Sequence, residues 1–294
     1  MQQAADAIVY NGMTAAELAA AYNVHGSIPD PAGYQKENAE LAQAAEAKLN
    51  PIKDIAYGGE PIQKLDIYAP SGAANAPVLI DIHGGGWTQG TKNTRAIPAE
   101  AVMSKGVVWV PIDYGLAPSY RMEQIIDHVR RAVAWVYQNI AQYGGDPNRL
   151  YVSGNSAGGH LTGTTLMPGW HGDYGIPEDA VKGAVPMSGI FDLDGHVHAG
   201  VGPQEALKMT LQDSRQSSPL FNLPARPVPV VVSYGEPELE AFIDESKKYA
   251  EALEKAGCDV TVIEVPEAHH FAMSRELANP NGALFKAVMA MMGV

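Results

Sequence analysis

Four short strings in this chain carry residue types that together could transfer an acyl group. Gly154-Asn-Ser-Ala-Gly158 sets a serine between two glycines, after the apolar run 150–153 and before the helix-compatible run 157–167. A strand that ends in a tight turn and continues as a helix lifts the Ser156 hydroxyl above the sheet, and glycines keep that turn uncrowded. The helix N-terminus beneath it favours developing negative charge. His83-Gly-Gly-Gly-Trp87 closes the run 78–82. Consecutive glycines allow a close backbone path whose N–H groups can be aimed at a nascent oxyanion. Gly84, Gly85 and the N–H of Ala157 are the expected donors. His83 precedes this loop and is expected to orient it, not to act as the base.

A serine nucleophile needs a base, and the base needs an acid that fixes its tautomer. With a serine on a strand–turn–helix elbow, the acid and then the histidine follow later in the chain. The run 228–234 ends in Gly235-Glu-Pro-Glu-Leu-Glu240, which offers three carboxylates. Glu238 is the expected acid, with Glu236 and Glu240 as open alternatives. The run 260–265 is followed by Pro266-Glu-Ala-His-His-Phe271. His270 is the expected base, with His269 beside it. Trp87, Tyr22 and His160 are assigned to the substrate side. His160, one helical turn past Ser156, also reads as a packing residue. His25, His128 and His171 fall in peripheral elements. Asp192-Leu-Asp-Gly-His-Val-His198 could ligate zinc or another divalent ion, but such a string is more often a solvated loop. The acyl-transfer chemistry needs no metal and no organic cofactor, and none is expected.

The elements that must position these groups alternate in kind. Residue pattern predicts an edge strand over 65–68 and buried strands over 78–83, 107–113, 150–153, 183–187, 228–234 and 260–265. Helical patterns lie between them, over 121–143, 156–167, 240–256 and 281–292. Such alternation implies an α/β fold: a mostly parallel sheet covered by helices on both faces. Residues 13–50 look helical and alanine-rich. Thr14 and Glu17 form a capping-box pattern, the segment 22–31 breaks the helix at two prolines, and a second helix runs over 34–49. The expected organisation is an N-terminal helical lid, 1–50, on a catalytic domain, 51–294, with a cap insertion at 190–220. Met209, Leu211 and Phe221 of that insertion are expected to contribute to specificity. Trp109 and Trp135 read as core.

Composition narrows the partners. Twenty Lys and Arg against 33 Asp and Glu give a formal charge of −13, which opposes binding to nucleic acid or an anionic membrane. That field disfavours polyanionic substrates. A hydrophobic fraction of 46% with 18% charged residues is globular composition. The single cysteine, Cys258, excludes an intrachain disulfide and reads as buried packing. No basic leader followed by a long apolar run is visible, so a soluble, cytoplasmic chain is expected. A homodimer is compatible with exposed helices and sheet edges.

With these residues assembled, the chain resembles the α/β-hydrolase esterases of the hormone-sensitive-lipase type, through His83-Gly-Gly-Gly-Trp87, Asp113-Tyr-Gly-Leu-Ala-Pro118 and Gly154-Asn-Ser-Ala-Gly-Gly159. It is more closely similar to the kynurenine formamidase-like branch. Tyr22-Asn-Val-His-Gly-Ser-Ile-Pro-Asp30, Phe191-Asp-Leu193, Ser218-Pro-Leu220 and His270-Phe271 carry that likeness, over roughly residues 14–292. The resemblance implies the α/β-hydrolase fold, with Ser156 as nucleophile, His270 as base, Glu238 as acid, and oxyanion donors at Gly84 and Gly85. His25 stands where that branch usually has arginine, Gly86 is the esterase form, and Gly115 departs from both groups. The expected activity is therefore hydrolysis of small carboxylic esters or amides, most simply by a carboxylesterase. An arylformamidase or amidase, and a non-catalytic ligand-binding scaffold, are the alternatives.

Overall fold

The computed structural model describes residues 7–200 and 203–294. Its centre is an eight-stranded sheet built from β3 (Ile52–Ala56), β4 (Lys64–Ile67), β5 (Ala76–Ile82), β6 (Val108–Ile112), β7 (Gly145–Asn155), β8 (Val181–Met187), β9 (Pro229–Gly235) and β10 (Asp259–Val265). The order across the sheet is β10-β9-β8-β7-β5-β6-β4-β3. Strands β5 to β10 pair in parallel, and β3 and β4 add an antiparallel edge. Order reverses around β5, whose neighbours are β6 and β7. In an open α/β sheet the crevice at the strand ends beside such a reversal is where ligands sit.

Side-chain alternation divides the core between the two faces. Val78, Ile80 and Ile82 of β5 join one cluster with the helices α4 (Met122–Asn139), α5 (Ala157–Thr165) and α9 (Glu240–Lys255). Leu79 of the same strand joins the other, with α2 (Pro31–Leu49), α3 (Ala99–Met103) and α10 (Ala283–Met292). Helix α2 starts at Pro31, earlier than its apolar pattern shows. Asp30 caps it by accepting from Gly33 N at 2.9 Å, and proline at the first position loses no helical hydrogen bond. Trp109 is fully buried, whereas Trp135 is only half-buried against the core. Cys258 is buried.

Strand β3 gave no sequence signal. Its five residues are mostly exposed, and Asp54 sits at φ +56°, so no period-two pattern exists to find. The N-terminal segment is also not purely helical. It opens with a hairpin of β1 (Ile8–Tyr10) and β2 (Met13–Thr14), followed by α1 (Ala15–Ala21) with the Thr14–Glu17 capping box formed. The stretch 190–220 contains α6 (Asp194–Ala199), α7 (Pro203–Leu207) and α8 (Leu211–Ser217). Helix α1 packs against α6. Residues 1–6 of the expected lid and 201–202 of the expected insertion lie outside the described residues. No helix among the described residues is long and apolar enough to cross a membrane.

Candidate active site

The turn after β7 is forced by its surroundings. Ser156 adopts φ +58° and ψ −123°, a conformation costly for a side-chain-bearing residue. It persists because the turn is clamped: Ser156 N donates to Met187 O at 2.9 Å, and α5 follows directly. A Cβ on Gly154 would lie 2.5 Å from Gly158 O, and one on Gly158 would lie 2.1 Å from Ile82 O. Both glycines are therefore required by the close approach of β5 and α5 to the turn.

The glycine loop after β5 meets this turn. A Cβ on Gly84 would come within 2.9 Å of Asn155 O and 3.2 Å of Ser156 Cβ, so the loop backbone abuts the serine. His83 is buried, stacked on Tyr114 at 4.2 Å, and its Nδ1–H donates to Gly84 O at 2.7 Å. A trans peptide points C=O and N–H in opposite directions, so anchoring Gly84 O turns Gly85 N–H away from His83. Burial pushes the His83 imidazole down to about 4, which keeps it neutral and in this role at neutral pH. Ala157 opens α5, so its N–H has no intrahelical acceptor.

Among the three carboxylates after β9, the fold selects one. Glu236 and Glu240 are exposed. The Glu238 side chain is fully buried, and its Oε2 lies 3.2 Å from His270 Nδ1. Its Oε1 accepts from Gly235 N at 3.2 Å and from the Ser188 hydroxyl. His270 follows the turn after β10 and packs against the Phe242 ring, with centroids 4.4 Å apart. With Nδ1 committed to the carboxylate, Nε2 is the free nitrogen, buried and without a hydrogen-bond partner. His269 is turned aside: its Nδ1 accepts from Ala272 N at 3.3 Å.

Ser156, His270, Gly84, Gly85, Ala157, Trp87 and Tyr22 all line one cavity of about 740 Å³, a size suited to a small organic ligand. Three expectations are corrected here. His160 does not line it. That ring is fully buried, receives Trp87 Nε1–H at 3.2 Å and lies 2.9 Å from Ser217 O, so it touches the site only by holding Trp87. Met209, Leu211 and Phe221 also lie elsewhere: Met209 is buried away from the cavity, and the other two are exposed on the outer surface. His25, expected in a peripheral element, stands at the cavity with its ring 5.5 Å from Phe271. The string 192–198 does not gather around a metal position. Asp194 takes Ser214 and Arg215, His198 stacks on Tyr10, and His196 packs between Tyr22 and Trp87.

Several further residues support the site. Arg95 makes a two-point contact with the fully buried Asp81, at 2.5 and 3.1 Å, and also reaches Asn155 Oδ1 and Ser274 O. It thereby ties β5, the serine turn and the segment after His270 together. Asp81 inside an apolar strand was a visible signal of such a partner. Ser188 and Glu245 carried none. Glu245 on α9 is buried, and its Oε2 accepts from Phe191 N and Asp192 N at 2.8 and 2.9 Å. These bonds fix the loop that begins at Ser188. Burial, opposed by those two N–H groups, pushes the Glu245 carboxyl up to about 7.

Comparison with known proteins agrees with this architecture. The family profile described as BD-FAE matches residues 65–233, more than half of the chain. Kynurenine formamidase of Danio rerio is 31% identical over 257 residues, covering 85% of this chain and 85% of that protein. Esterase LipQ of Mycobacterium tuberculosis is 32% identical over 236 residues, covering 74% of this chain and 56% of that one. Among solved structures, a candidate thioesterase from Silicibacter sp. superposes with a TM-score of 0.80 at 26% identity, over 92% of this chain and 98% of that one. The protein is a hydrolase of ester or amide substrates, and it belongs to the α/β-hydrolase serine hydrolases of the kynurenine formamidase and hormone-sensitive-lipase-like type.

Proposed function

We propose that the protein is a carboxylesterase working through Ser156, His270 and Glu238. The observation that carries this is the buried row Ser188–Glu238–His270, which ends in an unpartnered His270 Nε2 on the cavity that Ser156 also lines. His270 Nε2 takes the proton of Ser156 Oγ as that oxygen attacks the substrate carbonyl. N–H groups of Gly84, Gly85 and Ala157 receive the oxyanion. The tetrahedral adduct collapses, and the proton on Nε2 passes to the leaving alkoxide. Water, deprotonated by the same nitrogen, then releases the acid and frees Ser156. Glu238 accepts from Nδ1–H and holds the ring in place. The described parts of 1–50 and of 190–220 act as the cap over the remainder of the catalytic domain 51–294.

The name of the 31% identical relative favours a second reading, an arylformamidase, which uses the same groups with an amine leaving. p-Nitrophenyl acetate against formanilide separates the two: the esterase reading expects the larger kcat/KM on the ester. A fluorophosphonate should label the wild type and not Ser156→Ala. Labelling that survives in the variant, or hydrolysis undiminished by it, overturns the assignment and returns the chain to a non-catalytic scaffold or another nucleophile.

A further inference from the structure

The walls of the cavity carry almost no charge. Among the described residues no Asp, Glu or Lys lines it, and the single arginine that does, Arg95, is spent on Asp81, Asn155 and Ser274. This is notable in a chain of net charge −13. Tyr22, Tyr34, Trp87, Phe242 and Phe271 give it aromatic surfaces instead. Between two of these rings sits His196, 4% exposed and also lining the cavity, with the Tyr22 centroid at 4.3 Å and the Trp87 centroid at 5.7 Å. Its Nδ1 is buried without a hydrogen-bond partner among the described residues. A buried polar atom left unpaired costs about 1–3 kcal/mol, and native structures keep such an atom where a ligand completes it or a mechanism uses it. The reaction proposed above does not use His196.

We propose that this cavity selects uncharged substrates bearing an aromatic group, and that His196 is a specificity-determining residue that hydrogen-bonds a neutral polar substituent of that group. The proposal rests on the reading of Ser156 as nucleophile. Geometry supports the division of labour: the flanking rings stack on or edge against a flat group, while the imidazole offers it one donor and one acceptor. Burial, with the nearby His160 adding to it, pushes the His196 imidazole down to about 4, so it presents no cation to an anionic group at neutral pH. A substrate carboxylate entering here would be desolvated without a counter-charge, which costs far more than desolvating a carboxamide that finds a partner. His25, exposed at the mouth, lies outside that enclosed wall.

The test is a matched pair of acetate esters, 4-acetoxybenzamide and 4-acetoxybenzoate, with phenyl acetate as the unsubstituted reference. Each rate is normalised to spontaneous hydrolysis. The carboxamide should exceed the carboxylate in kcat/KM by about tenfold or more. In His196→Phe, which keeps an aromatic wall, the advantage of the carboxamide over phenyl acetate should fall by about fivefold. Equal kcat/KM for carboxamide and carboxylate overturns the proposal, as does a carboxamide advantage that survives in the variant. Wild-type binding of 4-hydroxybenzamide and 4-hydroxybenzoate, followed by tryptophan fluorescence, reads the same charge preference without turnover or a variant. Tighter binding of the carboxamide with no hydrolysis of any ester would sink the catalytic reading and leave the charge selectivity standing. Hydrolysis of all three esters without charge preference would do the reverse.

Discussion

The floor of the cavity and its cap are built on opposite principles. The floor is made of residues at the ends of sheet strands, Ser156 after β7, Gly84 after β5 and His270 after β10, with Glu238, after β9, buried behind His270. Each is locked by buried partners, such as Gly235 N and Ser188 on Glu238 and the Asp81–Arg95 pair beneath the serine turn. The proposed cap is made of a two-stranded hairpin, several short helices and the 19-residue α2. A phenol–carboxylate contact, Tyr10 to Asp192, joins its two parts, and another, Tyr22 to Glu245, ties it to the body. Groups that move protons must hold their geometry within fractions of an ångström, and strand ends in a packed sheet supply that. Groups that only admit a substrate can be carried by elements with few buried contacts, which open at lower cost. Damage to the floor should therefore reduce kcat, and damage to the cap should alter KM and selectivity.

The strongest break is expected at Ser156, the proposed nucleophile. Ser156→Ala should lower kcat by about 10³-fold or more in an ester assay. Because Ser156 sits at φ +58°, Ser156→Gly should be equally inactive and more stable, by about 1–2 kcal/mol in denaturant unfolding. Glu238→Gln should cost about 10²-fold or more in kcat with little change in KM, since the amide can hold the wrong histidine tautomer. Ser188→Ala removes one hydrogen bond to a buried carboxylate, and about a tenfold loss of kcat is expected, with a changed pH profile of kcat. On the cap, Tyr22→Phe should raise KM by about threefold and leave kcat largely intact. A Tyr22→Phe loss of kcat as large as that of Ser188→Ala would erase the contrast between floor and cap.

The smallest effect concerns stability against pH. A carboxyl whose folded-state pKa is raised favours folding below its unfolded value, and that contribution is lost as pH rises through the folded value. For Glu245, ordinarily near 4.5 and pushed up to about 7, the loss falls between those two values. Glu245→Gln should flatten the decline of Tm across that window. An unchanged Tm–pH curve would show that Glu245 does not anchor the cap-side loop as a neutral acid.

Sequence legibility follows from locality. The serine turn and the glycine loop were readable because their requirements are backbone requirements met within five residues, and the buried strands because their apolar runs are continuous. Strand β3 was not, since an exposed edge strand imposes no pattern. Choosing Glu238 from three glutamates rested on resemblance and spacing; burial against Ser188 and His270 is a tertiary fact, across 50 and 32 residues of chain. His160, one helical turn past Ser156, is readable from sequence both as packing and as a substrate-side residue, because spacing places a side chain on a helix face and does not say whether cavity or core lies opposite.

The sequence by itself determined the class of chemistry and the mostly parallel sheet, and it set the expected order of nucleophile, acid and base along the chain. Each is written in local residue types and periodicity. Only the tertiary structure decided which partners sit on the acid, that His25 rather than His160 lies at the cavity, that Arg95 is already spent, and that the walls are uncharged around His196. Those properties belong to side chains far apart in sequence, and no local pattern records what burial brings together.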